Sequence, residues 1–239
     1  MKREKQKFLY KRSGVYYNNP VMIYDAIRLI AAALCGETKK TELNVTPDPA
    51  LRPVLDFILL ISAYAEISAA GKARVDPIAR IPVNVPLRFT ALPKDVFLLF
   101  AGIVSKLNVI FRAENVEGGI TKAELQTLSD AMDGVLAYAE TENGVALSAF
   151  STIDGLNPDV AVSPVFAAGA LLGGVLALET TTFRLGKNRN APEVLCAVEA
   201  INAFGGSAKE NGDGTVTVQS FRYKRFHPKT GKRLRKRAK

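Results

Sequence analysis

Two stretches of this 239-residue chain gather side chains that can hold phosphate. Near the C-terminus Arg222, Tyr223, Lys224, Arg225, Phe226, Lys229, Lys232, Arg233, Arg235, Lys236 and Arg237 interleave cations with aromatic rings. Near the N-terminus Lys2, Arg3, Lys5, Lys7, Lys11 and Arg12 stand among and before Phe8, Tyr10, Tyr16 and Tyr17. Lys and Arg neutralise backbone phosphates and release condensed counterions, while aromatic rings stack on unpaired bases. These are the candidate nucleic-acid contacts, with RNA slightly preferred over DNA because stacking favours unpaired bases. No helix-turn-helix, zinc-finger or RNA-recognition signature accompanies them, so the expected binding is to the backbone with low sequence specificity. The same composition also suits a solubilising tail or an anionic membrane surface.

The net charge of +9 conceals how the charge is distributed. Residues 1–12 carry six Lys/Arg and one Glu, and residues 222–239 carry ten Lys/Arg and no acid, giving ends of +5 and +10. Residues 13–221 hold 16 basic and 22 acidic residues, a net −6. A uniformly basic protein steers acidic partners with its whole surface, whereas this pattern describes an acidic body with basic arms. Beyond Pro228 the apolar content is too low to offset ordering entropy, so that segment is expected to order only on contact. The acidic body is left to contact a protein partner or a second copy of the chain.

Other chemistry finds little support. The single histidine, His227, lies in the basic tail without a carboxylate or cysteine near it in sequence, which reads as an exposed arm residue and not a general base. Cys35 and Cys196 stand alone in apolar stretches and read as buried reduced thiols; no metal site and no cofactor is expected. Gly169, Gly173 and Gly174 lack the Lys-Ser/Thr of a phosphate-binding loop and point to close helix packing. The carboxylate pairs Asp130/Asp133 and Glu114/Glu117 read as solvated surface groups, and no catalytic residue is assigned. No apolar leader follows the basic N-terminus, so a cytoplasmic location is expected. Val160 to Leu178 carries no charge over 19 residues, but its Pro and Gly content suits a helix buried on all sides better than a membrane span.

The elements that position these residues repeat three times, at intervals of about 70 residues. In the first copy a helix from Val21 to Leu34 ends at Gly36, a strand covers Thr41 to Val45, Pro49 opens a helix through Ala63, and a strand leaves Tyr64. In the second, Pro93 opens the helix 94–105, a strand covers Asn108 to Ala113, and Thr121 with Glu124 forms a capping box on a helix through Met132. Strands 135–140 and 145–151 then flank a Glu142-Asn143-Gly144 turn. In the third, Ser163-Pro164 starts a helix through Leu176, a strand covers Thr180 to Arg184, and the helix 191–204 stops at Gly205-Gly206 before a closing hairpin. The segments Ala63-Tyr64-Ala65-Glu66, Ala137-Tyr138-Ala139-Glu140 and Ser207-Ala208-Lys209-Glu210 overlay one another. An α/β fold of three such units must pack helices inside and sheets outside, or the reverse, because no unit buries its apolar face alone. The boundaries read as a basic arm over 1–13, a three-repeat domain over 14–221 with repeats at 14–82, 83–155 and 156–221, and a basic tail over 222–239.

This order and spacing resemble the enolpyruvate transferases, the family of 5-enolpyruvylshikimate-3-phosphate synthase. The resemblance is carried by Asp25 to Thr38, by Asn108 to Arg112 leading to Thr121-Lys122, and by Gly186-Lys187-Asn188-Arg189-Asn190 through Gly206. It implies three helix–strand–helix–strand units with helices central and sheets facing solvent, corresponding to one of the family's two domains. It further implies an active site in the cleft between domains, with Thr121, Lys122, Lys187 and Arg189 as candidate anion-binding residues. The family's Lys-Ser-x-Ser segment has no counterpart, since Asn19 to Ala26 contains neither Lys nor Arg, and Lys94-Asp95-Val96 stands where a Ser-Ser-Gln segment opens another helix. Two functions follow: a non-catalytic nucleic-acid-associated protein, such as a ribonucleoprotein or coat subunit, or an enolpyruvyl-transferase-like domain that completes its site with a second chain.

Overall fold

The computed structural model describes residues 20–36, 41–79, 86–105, 107, 109–133, 135–149, 158–177 and 179–220. Its helices begin where local chemistry directs. The Ser163 hydroxyl accepts the Phe166 N–H at 3.4 Å ahead of α5 (Pro164–Gly174), and Thr121 opens α4 (Lys122–Ala131) with both arms of the capping box in place. Asp48 caps a 3-10 turn over Pro49–Leu51 that leads into α2 (Arg52–Ile61), so the helix expected from Pro49 starts as a tighter turn. The remaining helices are α1 (Pro20–Cys35), α3 (Lys94–Val104) and α6 (Pro192–Ala203), the last entered through a second 3-10 turn, Gly186–Asn190.

Among the described residues ten strands form three sheets. The first is β1 (Thr41–Asn44), β3 (Lys72–Val75) and β2 (Ala65–Ile67), in the order β1-β3-β2. The second contains β4 (Pro86–Thr90), β5 (Ile110–Glu114), β6 (Leu136–Thr141) and β7 (Gly144–Ala149), in the order β4-β5-β7-β6. The third is β8 (Thr181–Arg184), β10 (Thr215–Val218) and β9 (Ala208–Glu210), in the order β8-β10-β9. The overlaid segments thus fall on equivalent edge strands, β2, β6 and β9. β4 pairs in parallel with β5, and a single parallel bridge from Asp159 to Arg184 repeats that relationship in the third unit. Strands β3 and β4 were absent from the sequence expectation, and the described part of the closing strand ends at Val218, before the expected Tyr223.

Among the described residues α1, α3 and α5 form the interior, the sheets lie outside them, and α2 and α4 turn one side to solvent. The strands alternate exposed and buried residues, as in β4 and β5, so each sheet turns one face to the helices and one to solvent. Every residue of α5 from Val165 to Gly174 is buried, which accounts for the uncharged stretch around it. Among the described residues no helix is long and apolar enough to cross a membrane. α5 lies against α3 so closely that a Cβ on Gly102 would strike the Phe166 carbonyl oxygen and one on Gly169 the Leu99 carbonyl oxygen. Glycine is therefore required at both positions for the helices to meet backbone to backbone. Phe57 of α2 meets Phe100 of α3 at 4.9 Å between ring centres, and Phe100 in turn meets Phe89 of β4 at 5.2 Å, joining the first unit to the second. Of the two thiols, Cys35 is buried as expected, while Cys196 is only half-buried, although its Sγ lies 3.9 Å from the Tyr24 carbonyl oxygen near the start of α1.

Candidate functional site

Three helices bring their first turns together at one end of the bundle. Glu193, in the first turn of α6, acts electrostatically both on Asp95, in the first turn of α3, and on Tyr24, near the start of α1. Burial pushes the Asp95 carboxyl above the usual carboxylate range, Glu193 adds to that, and Lys94 opposes it. Burial likewise raises the Tyr24 phenol, reinforced by Glu193. Cys196 lies beside them with its Sγ 3.9 Å from the Tyr24 carbonyl oxygen, and burial pushes its thiol up to about 11. Helix N-termini attract negative charge. Here the chain places its own carboxylates, Asp95 and Glu193, in the positions that an anionic ligand would otherwise favour.

A similar substitution occurs at Thr121. The Glu124 carboxylate accepts from the Thr121 N–H at 2.8 Å and from the Thr121 hydroxyl at 2.9 Å, and it pairs with the Lys94 ammonium at 2.6 Å. Burial alone would raise the Glu124 carboxyl, but the Lys94 and Thr121 donors outweigh it and hold the group below its ordinary value. Thr121 is therefore not an open anion seat: an internal carboxylate already occupies its donors. Lys122 is exposed and has no carboxylate partner among the described residues.

Lys187 and Arg189 sit together on the 3-10 turn ahead of α6, both exposed. Between them Asn188 is buried and donates its side-chain N–H to the Ala161 carbonyl at 2.8 Å, fixing the turn while the two cations face solvent. Thr121 and Lys122 stand at the start of α4 in the second unit, and Lys187 and Arg189 on the turn ahead of α6 in the third. The candidate nucleic-acid contacts, from Lys2 to Arg12 and from Arg222 to Arg237, and His227 with them, lie outside the described residues. Asp130, Asp133, Glu114 and Glu117 are all exposed, in keeping with solvated surface groups.

Sequence reasoning missed two arrangements. Asp25 is a buried carboxylate that accepts the Thr46 N–H at 2.7 Å and pairs with Arg28 at 3.4 Å, tying α1 to the chain after β1. Its spacing of three from Arg28 on one helix was the available signal. The convergence of Asp95 with Glu193 had a weaker one, an acid in the first turn of each helix. Among the described residues no group of three His, Cys, Asp or Glu could hold a metal ion. A cleft of about 240 Å³ lies under the loop between β5 and α4, lined by Asn115, Val116, Ile120, Leu125, Glu140 and Val145.

With central helices, outer sheets and a helix–strand–helix–strand unit recurring three times, the chain has an enolpyruvate-transferase-like fold, matching under half of the structures it resembles. Two structures of EPSP synthase from Acinetobacter baumannii resemble this chain. One gives a TM-score of 0.56 at 14% identity, covering 85% of this chain and 45% of that one. The other gives 0.54 at 14% identity, covering 82% and 45%. The enolpyruvyl transferase NikO from Streptomyces tendae aligns with a TM-score of 0.49 at 18% identity, covering 83% and 46%. The chain thus spans slightly under half the length of the solved structures it matches. No family model and no curated protein matches it.

Proposed function

We propose that this chain forms one half of an enolpyruvate-transferase-like site, the other half coming from a second copy or a second chain. The observation that carries the reading is the extent of the likeness: it covers 85% of this chain but 45% of the EPSP synthase it resembles. In that arrangement the end of the bundle where α1, α3 and α6 begin faces the partner. This half contributes acids there, Asp95 and Glu193, and its Lys94 is engaged by Glu124. The partner half must then bring the cations that hold an anionic substrate, because a phosphate or carboxylate is not bound by carboxylates alone. Asp95, held above the usual carboxylate range, is the group on this side suited to keep and release a proton. Thermal unfolding of the full chain with phosphoenolpyruvate at low millimolar concentration, followed alongside its sedimentation, tests the reading. A rise in the unfolding temperature together with a concentration-dependent dimer supports it. Indifference to the ligand and a monomer throughout would dismiss it.

A second reading is favoured by the charge distribution, with ends of +5 and +10 on a body of −6. In it the chain holds a nucleic-acid backbone through its arms, non-catalytically. Binding to mixed RNA or DNA should weaken steeply with salt and disappear when residues 222–239 are removed. Salt-independent binding, or full binding by the shortened chain, would rule this out.

A further inference from the structure

The outward faces of the three sheets treat their cations differently. On the first sheet Arg74 stands opposite Glu42 of β1 and Glu66 of β2, and its Nε meets the Glu42 carboxylate at 2.9 Å. On the third, Arg184 comes within 3.9 Å of Asp159. The four-stranded sheet departs from this. There Arg88 of β4 lies directly opposite Arg112 of β5 in parallel register, both exposed, and among the described residues neither has a carboxylate at ion-pair distance. Glu114 lies on the same face two residues along β5, but its cross-strand neighbour is Thr90. On its other side Arg112 faces Ala146 of β7, and Ala146 faces Ala139 of β6.

Like charges directly opposite on neighbouring strands repel and cost stability. At Arg74 the same fold sets acids on both sides of an arginine, so the unrelieved pair is a property of this sheet and not of the architecture. A phosphate lying over the two guanidinium groups removes the repulsion, and each guanidinium can donate two parallel N–H bonds to it. Neighbouring strands are about 4.8 Å apart, so one phosphate or two successive ones can engage both side chains. The low side chains beside Arg112 leave room for an extended strand to lie across the sheet, and Ile110, 41% exposed, offers it an apolar contact. A rigid duplex touches a flat face along one edge only.

We propose that the outward face of the four-stranded sheet, centred on Arg88 and Arg112, seats the phosphodiester backbone of a single-stranded nucleic acid. The proposal rests on the second reading above and places a contact on the folded body, apart from the arms. With no aromatic ring among the described residues of this face, binding there depends on phosphate and is indifferent to base sequence.

Fluorescence anisotropy of a mixed-sequence single-stranded oligonucleotide tests this, using the full chain, the double variant Arg88→Gln/Arg112→Gln, the control Arg74→Gln, and the chain lacking 222–239, each titrated with salt. The double variant is expected to bind about tenfold more weakly at low salt, with a log–log salt slope shallower by about 1.4, roughly 0.7 for each arginine that no longer meets a phosphate of a single strand. Its unfolding temperature should stay level or rise, since the repulsion is gone, and Arg74→Gln should bind as the parent does. If the shortened chain loses binding while the double variant keeps the parent's affinity and slope, the arms suffice and the sheet proposal falls alone. If the parent binds no oligonucleotide at low salt, about 50 mM, where affinity carried by phosphate contacts is far higher than at about 200 mM, both fall together. Displacement by poly-glutamate at the same charge concentration, or equal affinity for duplex, would also overturn the assignment to a single strand.

Discussion

The carboxylate of Glu124 lies 2.6 Å from the ammonium of Lys94, joining the first turns of α4 and α3 while also capping its own helix. One side chain thereby serves a helix terminus and a contact between helices. Replacing Glu124 by Gln should cost about 1–2 kcal/mol in urea unfolding at pH 7, from the weakened cap and the released lysine. Lys94→Met should cost less, about 0.5 kcal/mol, because both partners of the ion pair are about a third exposed or more. Because the folded carboxyl titrates below its unfolded value, its contribution is complete above the unfolded carboxylate pKa and fades as pH falls through the folded one. The parent and Glu124→Gln should therefore converge in acid.

Gly102 and Gly169 face each other's helices, and a methyl group at either meets a carbonyl oxygen. On an exposed helix Gly→Ala would gain about 1 kcal/mol. Here each substitution should instead lose about 1–3 kcal/mol, measured as a lower denaturant midpoint. The two losses should add to more than the double variant shows, since the first replacement already separates α3 from α5.

Cys196, with its thiol pushed up to about 11, should react with iodoacetamide at neutral pH far more slowly than a free thiol, because the nucleophile is the thiolate. A thiol whose folded pKa exceeds its unfolded one favours the folded state fully below the unfolded value. That contribution is lost as pH rises through about 11. Cys196→Ser should accordingly flatten the alkaline limb of the stability profile, read by unfolding temperatures between pH 8 and pH 11.

Asp95 is a carboxylate that burial and Glu193 both disfavour in its charged form. Its folded pKa lies above the unfolded value, so it supports the fold in acid and opposes it once both forms are ionised. Asp95→Asn should raise the unfolding temperature at pH 7, on the order of 2 °C for a chain of this size, and leave it unchanged well below the unfolded carboxylate pKa, where both states are protonated. If Asp95 is the proton-carrying group of a completed transferase site, the same variant should lose turnover while still binding ligand.

What the sequence disclosed was chemistry between near neighbours. Thr121 with Glu124, Ser163 before Pro164, and Glu142-Asn143 ahead of Gly144 each fix a helix start or a turn within a few residues, and each stands where expected. β4 escaped notice because it is short, begins with proline, and gains its partner β5 only through a parallel pairing across α3. The candidate site escaped for the same reason. Glu124 was legible as a cap, but its partner Lys94 is 30 positions away, so the closure of the Thr121 donors is a product of helix packing. Asp95 and Glu193 approach each other only once α3 and α6 share one core. The carriers of charge at the chain ends were plain from residue counts, and counts do not place them on a surface.

The parallel pairing of β4 with β5, and the bridge of Asp159 to Arg184, mean that the chain entering each later unit first lays itself on that unit's sheet and then passes through the interior as a central helix. Each sheet draws only on its own repeat, so the repeats follow one another along the chain while their central helices share one core. An excised middle unit that began at α3 would expose the edge of β5, and a first unit that kept β4 would carry a strand with nothing to pair with. A cut between units must therefore fall before β4, or before Asp159, to leave each sheet its first strand.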